Sequence, residues 1–345
     1  QPQRDKQTQK PQPLTTFADS IDHCDLDIDV IFTRLTKAFP CCQHVISVRN
    51  LKPKHVTEMM IFEITTKNPD GATQTFICKI PAKPERWNAV QNSIALRKRL
   101  DSPMVPKLHR VISVKGLYRN NPEFSMPVTM EEFIPHTTTV ETDTRHLSRN
   151  PAQYLDSLVI HSLQLFYQAA SAGYAMMDNT ARNIAIINDE KNHKDHGPQF
   201  VYIDLGNIAP LIERAGAAIP FDRFQTTLKR FRDMLQNLEK QLPTEQHAEL
   251  SNQLETFITY LHTCLQNRKE TSNFIKEEPL KKPPPTQQQI LEDLEKMIET
   301  YIKIRTETPG PKMQITPLSL RNAKTPEGMP DFIRRAIRKL LRVAA

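Results

Sequence analysis

The first third of the chain contains short runs of β-branched and other apolar residues, a pattern that predicts β-strands. A turn signal, Asn68 to Gly71, separates the second run from the third and predicts a hairpin. Residues 84–100 place Trp87, Val90 and Ile94 at helical spacing between the third and fourth runs. We therefore expect a five-stranded antiparallel sheet with one helix inserted after the third strand. The five runs are HVISV (44–48), EMMIFEITT (58–66), QTFICKI (74–80), KLHRVISV (107–114) and MPVTMEEFI (126–134).

The apolar spacing changes to a helical period in the second half of the chain. Asn150 and Pro151 provide a cap and a first-turn proline for a helix that ends at Gly173. Two short apolar runs, 183–187 and 200–204, follow as strands on either side of a polar loop. Further helices are predicted by two apolar faces (Phe224, Leu228, Phe231, Leu235 and Leu238; Leu250, Leu254, Ile258, Leu261 and Leu265) and by segments 289–305 and 330–343.

These elements predict an α+β protein in which sheet and helices are segregated along the chain. Residues 1–13 contain mainly Gln, Pro and charge, so we expect them to be disordered. The sheet and its helix occupy 14–135, and the helices occupy 136–345, within which 267–288 are expected to form a flexible connection.

The net charge of +7 arises from 46 basic and 39 acidic residues. So small an excess is typical of a solvated surface, although it also suits a nucleotide, a phospholipid or an acidic substrate. It gives nucleic-acid binding no specific support, and none is expected. The five cysteines form no CxxC pair, which argues against a zinc site and favours reduced thiols inside a cell. No apolar run reaches the roughly 18 residues of a membrane-spanning helix.

Other common motifs are missing from the sequence. It has neither a GxxxxGK phosphate loop nor a GxSxG nucleophile elbow. His193 and His196 flank Asp195 in the polar loop, but no second group of ligands accompanies them, so a metal site there is not expected.

Four polar residues at the ends of apolar runs have the chemistry that phosphoryl transfer needs. That reaction requires a cation on the phosphates, oxygen ligands for magnesium and a group that orients the attacking hydroxyl. Lys79 lies on an otherwise apolar strand and needs an anionic partner, for which a bound phosphate would serve. A surface lysine that reaches solvent along its apolar stem is the plainer alternative. Asp178 and Asn183 share a loop before one strand, and Asp204 ends the next. Carboxylate and amide oxygens are ligands that Mg²⁺ accepts.

Together these motifs, over about residues 44–210, resemble those of the protein-kinase-like superfamily. FICKI resembles the VAIK strand, MMDNTARN the HRDxxxxN loop and YIDLG the DFG motif. The resemblance implies a bilobal fold, with an N-terminal lobe at 14–135 and a mainly helical C-terminal lobe after it. It also implies that the chain binds ATP and Mg²⁺. Lys79 and Asp178 would then be catalytic, and Asn183 and Asp204 would be metal ligands.

The stretch MEEFIP (130–135) resembles the segment that joins the two lobes and meets adenine, which places Glu131, Glu132 and Phe133 at the nucleotide. The glycine-rich phosphate loop of the family is missing. In its place stand Lys52 and Lys54, expected as phosphate neighbours or as part of a plain basic hairpin.

The sequence departs from the family in the helix after Lys79 and in the catalytic loop. A glutamate that pairs with the lysine is expected in that helix, but the sequence has Gln91, Asn92 and Ser93, with Glu85 near the start. The pair is therefore either absent or formed by Glu85. Met176 and Met177 replace the His and Arg of the loop, so control by a phosphorylated activation segment is not expected.

No APE-like motif follows Asp204. In this respect the chain is more similar to aminoglycoside, saccharide and lipopolysaccharide-core kinases, or to the trimmed kinases that bacterial pathogens inject into host cells. We accordingly expect an intracellular protein, either cytoplasmic or acting inside a host cell.

The expected function is transfer of the γ-phosphate of ATP to a hydroxyl, with protein Ser/Thr slightly favoured. The alternatives are a kinase of small alcohols such as sugars or lipid headgroups, and a pseudokinase that serves as a scaffold. The basic amphipathic helix 330–343 either packs on the helical lobe or lies on an anionic membrane surface.

Overall fold

The structure is a computed structural model that describes residues 44–51, 59–81, 85–100, 102–115, 125–135, 138–187, 197–215, 219–242, 244–269 and 285–316. The predictions for residues 1–13, for Lys52 and Lys54, for the histidine loop at 193–196 and for helix 330–343 lie outside these residues. The chain divides into two compact units. The sheet unit comprises residues 1–87 with 109–132, and the helical unit comprises 88–108 with 133–345.

The sheet unit is built on a five-stranded antiparallel sheet, as the sequence predicts. The strands lie in the order β1-β2-β3-β5-β4, and helix α1 (Glu85–Arg99) follows β3 along the chain. The bounds of the strands are His44–Asn50 for β1, Met59–Lys67 for β2, Thr73–Pro81 for β3, Leu108–Lys115 for β4 and Ser125–Glu132 for β5.

Alternation of burial along β2 explains why this run forms a strand. Met60, Phe62 and Ile64 are buried on one face, while the residues between them are half-buried. At the end of the strand the chain reverses through Gly71, whose φ of +86° lies in the left-handed region that glycine adopts without strain. Asp70 Oδ1 accepts a hydrogen bond from Ala72 N at 3.1 Å, which supports the turn.

Helices dominate the helical unit, which also contains most of α1. The bounds are Arg145–Arg149 for α2, Pro151–Ser171 for α3, Phe224–Glu239 for α4, Thr244–Lys269 for α5 and Gln287–Glu307 for α6. The backbone of α5 leaves helical geometry at His247. The predicted helices beginning near 150, 224, 250 and 289 are therefore confirmed.

Helix α3 is the centre of the helical unit because nearly all of its side chains are buried. Asn150 caps it by accepting a hydrogen bond from Gln153 N at 3.2 Å. Phe166 packs edge-to-face on Tyr202 and on Phe231, with ring centroids 6.2 and 5.4 Å apart.

A buried polar cluster ties α6 and the segment after it to α3. Asp156 accepts hydrogen bonds from Arg305 Nε and Tyr301 Oη at 2.7 Å each, and from Gln314 N at 2.9 Å. Burial disfavours the charge of Arg305, but its bonds to Asp156 outweigh that cost and raise the pKa of the guanidinium.

In the described parts of the helical unit, seven short strands connect the helices. They form three small sheets with the orders β6-β8-β9, β10-β7 and β11-β12. Their bounds are Thr138–Thr139, Tyr174–Met176, Ile184–Ile187, Gln199–Tyr202, Ile208–Pro210, Ile212–Ala215 and Ile219–Asp222 for β6 to β12. Among the described residues, no helix combines the length and apolar character needed to cross a membrane.

Candidate functional site

The loop between β7 and β8 carries Asp178 and Asn183. A single 3₁₀ turn, Ala181–Asn183, closes the loop, and Asn183 N donates to Thr180 O at 2.9 Å. The Asn183 side chain turns back over the loop, because its Nδ2 donates to Asp178 O at 3.0 Å. That bond fixes the amide so that Oδ1 is the atom free to accept a cation.

Asp204 lies on the next loop, between β9 and β10. Its Oδ1 accepts a hydrogen bond from Gly206 N at 3.0 Å. Aspartate side chains commonly accept a hydrogen bond from the backbone two residues on, and here that bond pins one oxygen. An ionised carboxylate accepts bonds through two oxygens with about four lone-pair sites in all.

Backbone hydrogen bonds hold these two loops side by side. Strand β8 pairs with β9, with Ile184 opposite Tyr202, and Ile203 N donates to Asn183 O at 2.9 Å. Strand β7 pairs with β10, and Met177 N donates to Asn207 O at 3.0 Å. The structure therefore brings the predicted residues Asp178, Asn183 and Asp204 onto adjacent loops.

Helix α4 anchors the Asp178 loop. Thr227 Oγ1 donates to Met176 O at 2.9 Å, and Asn179 Nδ2 donates to Thr227 O at 3.0 Å. One turn further along the helix, Arg230 Nη1 forms an ion pair with Asp178 Oδ1. No local pattern signals these contacts, since 52 residues separate Arg230 from its partner.

The helix that was expected to supply a glutamate makes a different contact. Asn92 Nδ2 donates to Ile208 O at 3.1 Å, so α1 is hydrogen-bonded to the strand that follows the Asp204 loop. Of Glu85 only the helical backbone is described, so its expected pairing with Lys79 stays a prediction.

In the sheet unit Lys79 is buried, with 4% of its surface exposed, so the alternative of a solvent-reaching lysine is wrong. Its Nζ lies 3.1 Å from Glu131 Oε2, on the neighbouring strand β5. In the register of these strands Lys79 is opposite Thr129 and Ile77 is opposite Glu131, so all four side chains share one face. Thr129 Oγ1 donates to Glu131 Oε1 at 3.3 Å.

The pair satisfies a strong physical requirement, because an ammonium that is removed from water needs a charged, hydrogen-bonded partner. Glu131 is that partner. The sequence instead suggested a partner for Lys79 in the following helix and predicted that Glu131 lies at the nucleotide. Burial raises the pKa of the neighbouring Cys78 thiol, and the negative charge of Glu131 raises it further.

The other two residues of the expected adenine-binding stretch lie at the end of β5. Glu132 is the last residue of that strand and is half-buried, while Phe133, also half-buried, is the first residue of the second segment of the helical unit.

Two side-chain oxygens on these loops are of a kind that could bind a magnesium ion. Among the described residues, no group of three or more His, Cys, Asp or Glu side chains is arranged to hold a metal. Mg²⁺ commonly uses one or two protein oxygens and takes its other ligands from phosphates and water. Asn183 Oδ1 and the Asp204 carboxylate are oxygens of that kind.

Comparison with known proteins adds no assignment. No protein-family model matches the sequence, and no curated protein matches it significantly.

Proposed function

We propose that this chain is an ATP- and Mg²⁺-dependent phosphotransferase with a bilobal protein-kinase-like fold. The observation that carries the proposal is the pair of hydrogen-bonded loops that hold Asp178, Asn183 and Asp204 side by side. The buried Lys79, already paired with a carboxylate, supports it from the sheet unit.

Each residue has one task in the proposed reaction. Asp178 accepts a hydrogen bond from the acceptor hydroxyl and takes its proton late, as the acceptor oxygen bonds to the γ-phosphorus and the bond to ADP breaks. Asn183 and Asp204 supply oxygen ligands to magnesium, which would neutralise charge that develops on the phosphates. Lys79 contacts the α- and β-phosphates, and Glu131 keeps its ammonium charged and oriented.

The acceptor is a hydroxyl, with protein serine or threonine slightly favoured over a sugar or lipid headgroup. Incubation with labelled ATP, Mg²⁺ and panels of both substrate classes tests the proposal and separates them.

Asp204→Asn is the deciding variant. It should lower transfer at least 10²-fold, the scale on which removal of one preorganised electrostatic contact acts. Asp233→Asn is the matched control, since Asp233 lies on α4 and pairs with Arg232 rather than with the two loops. Full activity of Asp204→Asn would refute the assigned role.

A scaffold that does not catalyse transfer is the second candidate. The observation that favours this candidate is the ion pair of Asp178 with Arg230, which occupies the carboxylate assigned to the acceptor hydroxyl. Thermal unfolding with ATP and Mg²⁺ separates the two candidates. Ligand at about 100 times its Kd should stabilise the enzyme by about 2.7 kcal/mol, whereas an unchanged Tm at millimolar nucleotide would favour the scaffold.

A further inference from the structure

The carboxylate assigned to the acceptor hydroxyl already has a cationic partner. Arg230 Nη1 contacts Asp178 Oδ1, and the side chains are 37% and 20% exposed. A pair that is this open to solvent contributes little to folding on its own. The position of the pair beside the proposed reacting group therefore says more about its role than its contribution to stability does.

The helix that carries Arg230 is also fixed to the backbone of the same loop. Thr227, three residues earlier and on the same side of α4, donates to Met176 O and accepts from Asn179 Nδ2. Thr227 and Asn179 are both buried. The guanidinium thus projects from an element whose position relative to Asp178 is set by two buried hydrogen bonds.

We propose that Arg230 is a positioning residue for Asp178, an inference that rests on the proposed function. An aspartate on a loop has two rotatable side-chain bonds, and a contact at Oδ1 leaves Oδ2 to accept the hydrogen bond of the acceptor hydroxyl. Met176 and Met177 cannot donate to the carboxylate through their side chains. The cation that contacts the carboxylate is supplied by α4.

The test is steady-state transfer to the best acceptor found with labelled ATP. Arg230→Ala should lower kcat roughly 10²-fold, the effect of about 1 Å of misplacement, with the KM for ATP and the Tm close to wild type. Arg230→Lys should recover part of kcat, because an ammonium keeps the charge without the planar fork. Arg232→Ala should leave kcat unchanged, since Arg232 lies two residues beyond Arg230 and pairs with its neighbour Asp233.

Single-turnover measurements in the Asp178→Asn background decide whether Arg230 acts through Asp178. Adding Arg230→Ala there should cost less than about 3-fold, because residues that act as one unit are not additive. A full additional loss in that background, or wild-type kcat in Arg230→Ala, would overturn the inference. If the wild-type protein transfers phosphate to no acceptor, the proposed function itself fails, and the role of Arg230 fails with it.

Discussion

The buried ion pair between Lys79 and Glu131 makes the sharpest prediction about stability. Replacing Glu131 by Gln keeps the shape of the side chain and removes its charge. The Nζ–Oε2 distance of 3.1 Å gives an attraction of about 5 kcal/mol at an effective dielectric constant of about 20. Because the change removes this counter-charge from an ammonium in a site with 5% exposure, we expect a loss of about 3–5 kcal/mol in the free energy of unfolding.

Urea denaturation followed by circular dichroism measures this loss, and the same sheet provides a control. Arg49 and Glu63 form a cross-strand pair at 2.6 Å, but the Arg49 side chain is 68% exposed. Arg49→Ala should therefore cost only about 0.2–1 kcal/mol. A comparison of the two variants separates the effect of burial from that of ion pairing as such.

A double-mutant cycle identifies the partner. Lys79→Met combined with Glu131→Gln should cost at least about 1 kcal/mol less than the sum of the two single changes, because either single change already removes the interaction between the two side chains. Additive losses would refute the pairing, and a loss in Glu131→Gln no larger than that in Arg49→Ala would refute the magnitude.

Two further predictions concern the helical unit. Burial lowers the pKa of His161 from 6.5 to about 4, so below pH 6.5 the unfolded chain binds a proton at this residue that the folded chain does not. The free energy of unfolding should therefore fall by roughly 3 kcal/mol between pH 6.5 and pH 4. Urea titrations at several pH values should show that His161→Asn lacks this pH-dependent loss. Asp156→Asn should destabilise the protein by about 3–5 kcal/mol because it leaves Arg305 buried without a counter-charge. Asp233→Asn should cost under about 1 kcal/mol, because that pair is more exposed. Equal urea midpoints for the two variants would contradict the role of the buried network.

Elements with a long, regular pattern were predictable from the sequence because their cause is local. The run 74–80 became β3 at Thr73–Pro81, and the segment 84–100 became α1 at Glu85–Arg99. Alternation or helical spacing decides which residues face a core, and a turn signal such as the one ending at Gly71 fixes where the chain reverses. Strands of two or three residues, such as β6 and β7, are too short to show a period.

The partners of the charged residues could not be predicted, because they depend on register and packing rather than on spacing. Lys79 and Glu131 meet only because β3 pairs with β5 in a register that puts both on one face. Sequence reasoning placed the lysine's partner in the following helix or nowhere. In the sequence, Arg230 is a polar position next to the predicted apolar face of α4. The pattern of that face does not indicate which loop the Arg230 side chain contacts.

These two pairings have a consequence for regulation under the proposed function. A lysine that depends on a glutamate from a helix can be switched by moving that helix, because the pair forms only when the helix is in place. Here both members of the pair belong to neighbouring strands of one sheet, so the pair forms when the sheet does. On the same reasoning Asp178 is held by α4, which is hydrogen-bonded to its loop. Both charged groups are thus fixed by regular secondary structure, and a chain built in this way should transfer phosphate without prior activation.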